Sequence, residues 1–169
     1  MLDPARLQTL APSDRDLAPE ECAALARSVA DFVDLTALEP NGEGTLVLLW
    51  RNEHSEVWLN QWWEPRDTGF HDHGGSCVGV HVLAGRARNE PLVLGGERRV
   101  REYGPGESFS FPGDGIHRME HDRGAVTVHV YSPSMSVIGH YDVVEGELRR
   151  TPGPPDEASP PSPGLAGAV

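Results

Sequence analysis

The sequence predicts a mainly β domain, an antiparallel barrel or sandwich with helices confined to its N-terminal end. Three observations carry this. Apolar residues at helical spacing occur only ahead of Leu35. From Thr45 onward, short runs rich in Val, Leu, Trp, Tyr and Phe recur at intervals of about ten residues. Gly, Pro and Asp turns separate those runs, with no helical pattern between them.

A short helix is expected around Asp3 to Leu10. A longer amphipathic helix is expected over 19–34, where Cys22, Leu25, Ala26, Val29, Phe32 and Val33 follow Pro19, Glu20 and Glu21, with the acidic residues at the positive end of the helix dipole. Pro40-Asn41-Gly42-Glu43-Gly44 then reads as a loop. Strands are expected over 45–51, 56–63, 69–73, 78–84, 87–91, 97–103, 107–111, 115–121, 126–131 and 137–144. From Thr151 to Val169 six prolines and no apolar period predict a disordered tail. The organisation is thus a helical segment 1–44 packed on a barrel 45–150, followed by the tail 151–169, with no internal repeat.

At 169 residues one domain is expected, with enough chain to bury a core without disulfide staples. The net charge of -12 repels a phosphate backbone and an anionic membrane surface, so nucleic acid and membrane are not expected partners. Met1 to Leu10 contains Asp3 and Arg6 and no continuous apolar run, unlike a secretory signal. Two cysteines, Cys22 and Cys77, give no disulfide framework and fit a reducing compartment. The expectation is a cytoplasmic protein, a monomer or weak oligomer, acting on a small molecule.

In Phe70-His71-Asp72-His73-Gly74-Gly75 an extended backbone places His71 and His73 on one face, with Cα atoms ~6.5 to 7 Å apart, close enough to converge on one ion. A His-X-His pair arises often by chance, so a third ligand is needed. His117 supplies it, in Gly106-Glu107-Ser108-Phe109-Ser110-Phe111-Pro112-Gly113-Asp114-Gly115-Ile116-His117. Together these regions resemble the two motifs of the cupin superfamily, which implies a jelly-roll β-barrel. Gly106, Pro112 and His117 stand at the family's spacing, and Gly85 stands where the first motif closes. Asp114 replaces a Gly, His121 replaces the terminal Asn, and Val78 occupies the place of a ligating Glu.

Three neutral imidazoles without that carboxylate leave a divalent ion its full charge and about three open cis positions, which suits an anionic chelating substrate and O₂. A closed structural zinc site is the plainer alternative. It would need a fourth ligand such as Cys77, which the Gly74-Gly75 turn disfavours.

Along Ala125 to Pro133 alternation puts Thr127, His129 and Tyr131 on one face, either toward solvent or into a polar cavity. This stretch, with His117-Arg118-Met119-Glu120 before it and Trp50-Arg51-Asn52 further upstream, resembles the bacterial type of the cysteine dioxygenase family over about residues 45 to 145. The resemblance implies Fe(II) on His71, His73 and His117, although nickel, zinc or copper would fit the same ligands. It further implies O₂ as cosubstrate and oxidation of a small thiol, L-cysteine first, to its sulfinate. Arg51 would grip the substrate carboxylate, and Tyr131 would hydrogen-bond the reacting groups. His129 would orient Tyr131, and Thr127 would support His129.

Val78 stands where animal members carry a crosslinking cysteine, so no Cys77–Tyr131 thioether is expected, and Val78 instead shapes the pocket. Trp62 and Trp63 face opposite sides of their strand, and Trp62 is the candidate pocket wall. His81 and His54 read as surface residues, whereas His121 and His140 are not assigned by pattern. A 3-mercaptopropionate-type enzyme, a secondary-metabolism cysteine oxidation with another product or metal, and a non-catalytic metal-binding cupin are the competing readings.

Overall fold

The apolar periodicity near the start of the chain forms one helix, α1 (Pro19–Ala30), in a computed structural model that describes residues 13–39 and 44–152. The expected helix at Asp3 to Leu10, most of the loop after residue 39 and the tail beyond residue 152 lie outside the described residues. Pro19 opens α1, where its missing N–H has no partner to lose. Glu21 reaches back to accept the Ala18 backbone N–H at 2.8 Å. The helix stops at Ala30 rather than at residue 34. The N–H groups of Phe32 and Val33 bond three residues back, to Val29 and Ala30, so the last turn tightens while Val33 still reaches the core.

The rest is mainly β. The strands are β1 (Gly44–Arg51), β2 (Glu56–Trp62), β3 (Arg66–Asp67), β4 (Phe70–Asp72), β5 (Cys77–Ala84), β6 (Ala87–Pro91), β7 (Arg101–Tyr103), β8 (Ser108–Phe111), β9 (His117–His121), β10 (Ala125–Ser132), β11 (Gly139–Val144) and β12 (Glu147–Thr151). Every strand pairing among the described residues is antiparallel. One sheet runs β1-β2-β10-β5-β8, and the other runs β12-β11-β4-β9-β6-β7 with β3 also on β9.

Two strands escape the sequence pattern. β3 is too short to show a period. β12 returns on β11 through a two-residue loop, Glu145-Gly146, with both φ angles positive. Such a turn is normally announced by Asn-Gly or Asp-Gly. Conversely, the strand expected over 97–103 pairs only at Arg101–Tyr103, because its charged first half finds ion-pair partners such as Glu90 for Arg98 instead of a ladder.

The five-stranded sheet separates two cores. On its outer face Val57, Leu59, Cys77, Val126, Val128 and Val130 pack against Cys22, Ala26, Val29 and Ala30 of α1. On its inner face Val78, Val80, Val82, Phe109 and Phe111 join Ala87, Tyr103 and Met119 inside the barrel. His81 is therefore not at the surface. It lies on the helix-covered face, buried, with Nδ1 2.7 Å from Ser108 Oγ. His54, expected at the surface, is half-buried and pairs with Asp16 at 2.9 Å.

Candidate metal centre

Register places the three histidines before their side chains do. β4 and β9 are adjacent, with His71 directly opposite His117, and β11 brings His140 opposite His71 on the other side. His73 follows two residues after His71 on the same face. All three rings turn inward, and their ligand nitrogens lie within 4.8 Å of one another. Asp72, between the pair, faces the other way and ties β4 to β11 by accepting from the Gly74 and Gly139 N–H groups and the Tyr141 hydroxyl.

The donor set fits a metal ion. His117 Nδ1 donates to Asn89 Oδ1 at 2.6 Å, and His71 Nδ1 donates to the Gly69 carbonyl at 3.0 Å, so in each ring Nε2 is the unprotonated, potentially ligating nitrogen. His73 Nε2 and His117 Nε2 stand 3.4 Å apart. Two nitrogens ~2.1 Å from one ion are separated by about 3.0 to 3.4 Å, depending on the angle between them. Burial, reinforced by the neighbouring histidines, pushes His73 and His117 well below the usual imidazole range, which keeps both neutral. Phe111 stacks on His117 with ring centroids 4.4 Å apart and fixes its plane.

Beside this cluster the inward face of β10 is a hydrogen-bonded line. Thr127 Oγ1 is 3.0 Å from His129 Nε2, and His129 Nδ1 is 3.1 Å from the Tyr131 hydroxyl. Burial pushes His129 down to about 3, so it carries one ring proton, donating to one hydroxyl and accepting from the other. The line is thus polarised in a single direction at any moment. Tyr131 lies against His73, ring centroids 5.0 Å apart, and Val78 faces Tyr131 across the β10–β5 pair. Thr127 and His129 are fully enclosed rather than solvent-facing.

Arg51 and Glu56 form the last pair of the β1–β2 hairpin, and Glu56 in turn stands opposite Tyr131. Arg51 Nε donates to Glu56 Oε2 at 2.6 Å, and Trp58 Nε1 donates to Glu56 Oε1 at 3.1 Å. The Trp62 ring stacks on His121 at 4.6 Å, at the opposite end of β2 from Glu56. Cys77 lies with α1, its Sγ 3.7 Å from that of Cys22, so it is neither a fourth metal ligand nor a neighbour of Tyr131.

Sequence reasoning missed Asn89 and Glu56. Asn89 had no signal beyond its alternation in a short strand. Glu56 had one, since it closes the turn that Arg51 opens.

A barrel of two antiparallel sheets enclosing a three-histidine triad is a cupin with a site that could hold a metal ion. More narrowly, the model of cysteine dioxygenase type I matches residues 20–144, and the chain belongs to that family of thiol dioxygenases. Solved structures are similar to the chain at low identity. A Bacillus halodurans protein is 16% identical over 57% of this chain and 76% of its own, with a TM-score of 0.50. A Klebsiella pneumoniae protein with a double-stranded β-helix domain is 16% identical over 75% and 96%, at 0.48. A cupin domain from Schizosaccharomyces pombe is 9% identical over 60% and 67%, also at 0.48. No curated protein matches the chain.

Proposed function

We propose that this chain oxidises a small thiol, L-cysteine first, to its sulfinate with O₂, using Fe(II) held by His71, His73 and His117. The observation that carries the reading is the Tyr131–His129–Thr127 line set against His73, because a metal held only as a strut has no use for an oriented phenol. Fe(II) bound there would supply joint coordination of thiol and O₂.

The protein's own groups do the rest. Asn89 and the Gly69 carbonyl hold two imidazoles in the ligating tautomer. His129, kept neutral by burial, sets the direction of the Tyr131 O–H. Tyr131 can then donate one hydrogen bond to, or accept one from, a bound substrate group. Arg51 supplies a fixed cation for the substrate carboxylate. Val78 fills the space beside the phenol and limits the size of the thiol admitted.

The test is anaerobic reconstitution with Fe(II), followed by O₂ uptake and product mass with L-cysteine, 3-mercaptopropionate and cysteamine. L-Cysteine is expected to give the fastest uptake and a product heavier by two oxygen atoms. No uptake with any of the three would refute the dioxygenase reading, and a preference for cysteamine would remove Arg51 from substrate binding.

A further inference from the structure

Glu56 is a fully buried carboxylate, and no role has yet been assigned to it. An ionised carboxylate in that position must be matched by donors, and it is matched twice, by Arg51 Nε at 2.6 Å and by Trp58 Nε1 at 3.1 Å. The Arg51 guanidinium also lies over the Trp58 ring, 5.8 Å from its centroid. Glu56 and Trp58 therefore grip Arg51 along its Nε edge and its face. The terminal end is different. Nη2 is buried and has no hydrogen-bond partner among the described residues, an expensive state for a donor on an ionised group. Nη2 is thus a buried donor at the terminal end of the guanidinium, with Arg51 two strands across from Tyr131.

We infer that Glu56 is a positioning residue for substrate selection: it occupies the Nε edge of Arg51 and so presents the Nη end, and only that end, to the carboxylate of a small thiol. This rests on the thiol reading above. Two effects of Glu56 oppose each other, which makes the inference testable by sign. As a counter-charge it weakens the attraction of Arg51 for an anion, so its loss would tighten carboxylate binding. As a positioning group it holds the fork in place, so its loss would loosen carboxylate binding. The second effect is expected to win, because a planar bidentate contact depends on orientation whereas a point charge does not.

Glu56→Gln keeps the shape but leaves one acceptor oxygen for two donors. With Fe(II)-reconstituted full-length protein, the ratio of KM for L-cysteine to KM for cysteamine, which lacks the carboxylate, is expected to rise about tenfold in this variant, the size of one lost charge-assisted hydrogen bond. A ratio that stays level or falls overturns the inference.

A second measurement needs neither turnover nor a folded variant. In the Zn(II)-loaded wild-type chain, NMR is expected to show an Arg51 Nε–H protected from solvent exchange, and adding L-cysteine is expected to leave that proton in place while shifting the Nη protons. An unprotected Nε–H, or one that moves to the ligand on addition of L-cysteine, overturns the inference. Absent turnover with every thiol would sink the dioxygenase reading while leaving this measurement to judge Arg51 and Glu56 by itself.

Discussion

Single residues decide how ready the centre is to bind metal. Asn89 illustrates this best, because its Oδ1 accepts from His117 Nδ1 and so selects the tautomer that turns an unprotonated Nε2 toward the other histidines. Asn89→Ala is expected to weaken metal binding by about 10 to 100-fold, read by competition with a chromophoric chelator. An unchanged affinity would show that the Phe111 stack alone orients the ring. Tyr131→Phe separates metal binding from chemistry. It removes the hydroxyl bonded to His129 Nδ1 and none of the ligands, so bound metal should stay constant while kcat falls by about tenfold or more. Loss of metal in that variant would assign Tyr131 a structural role instead. At this scale the sequence was most informative where identity and spacing coincided, as for His71, His73 and His117. It was silent on Asn89, whose partner is 28 residues away in the chain and adjacent only through the β6–β9 ladder.

At the scale of elements, the pairing of α1 with β5 explains four residues at once. Gly79 sits where the helix comes closest. A Cβ there would stand 2.0 Å from the Ala23 nitrogen and 2.2 Å from the Cys22 carbonyl carbon, both backbone atoms that cannot rotate away. Gly79→Ala is accordingly expected to cost about 3 kcal/mol or more in denaturant unfolding. A smaller loss would mean that α1 slides on the sheet.

The same approach encloses Cys22 and Cys77. The hydrogen bond between them, together with burial, pushes the Cys22 thiol up while the same bond draws Cys77 down, so it is enclosure that shields both sulfurs while the helix is docked. Both thiols are expected to resist a disulfide exchange reagent until denaturant is added, and rapid labelling of the native chain would contradict the packing. His81 is buried rather than at the surface for the same reason. Its strand face was correctly separated from that of Val78, Val80 and Val82, but alternation cannot say that a helix covers the polar side.

For the whole molecule, the buried histidines set a pH dependence. Burial pushes His121 and His129 down to about 3 from an ordinary 6.5, and it moves His73 and His117 the same way. A lowered folded pKa means that below about pH 6.5 the unfolded chain binds protons that the folded one refuses, so stability is complete above that value and is lost as pH falls. In the metal-free protein each such group contributes a slope of about 1.4 kcal/mol per pH unit below that pH. Between about pH 6 and 5, where most carboxylates are still ionised, His121→Gln is expected to flatten the slope by about one group's share. Urea unfolding across that interval checks it, and an identical slope would show that His121 titrates normally.

The sequence by itself determined the β class, most strand positions and the three histidines that could hold a metal ion. These depend on local alternation and on short motifs whose spacing survives in the chain. Only the tertiary structure decided which face of β5 was core and which lay under α1, that Trp62 stacks on His121, and that Arg51 is already engaged by Glu56. Each of those depends on strands that are distant in sequence being brought into register. Alternation gives the parity of a side chain, but only pairing gives its neighbour.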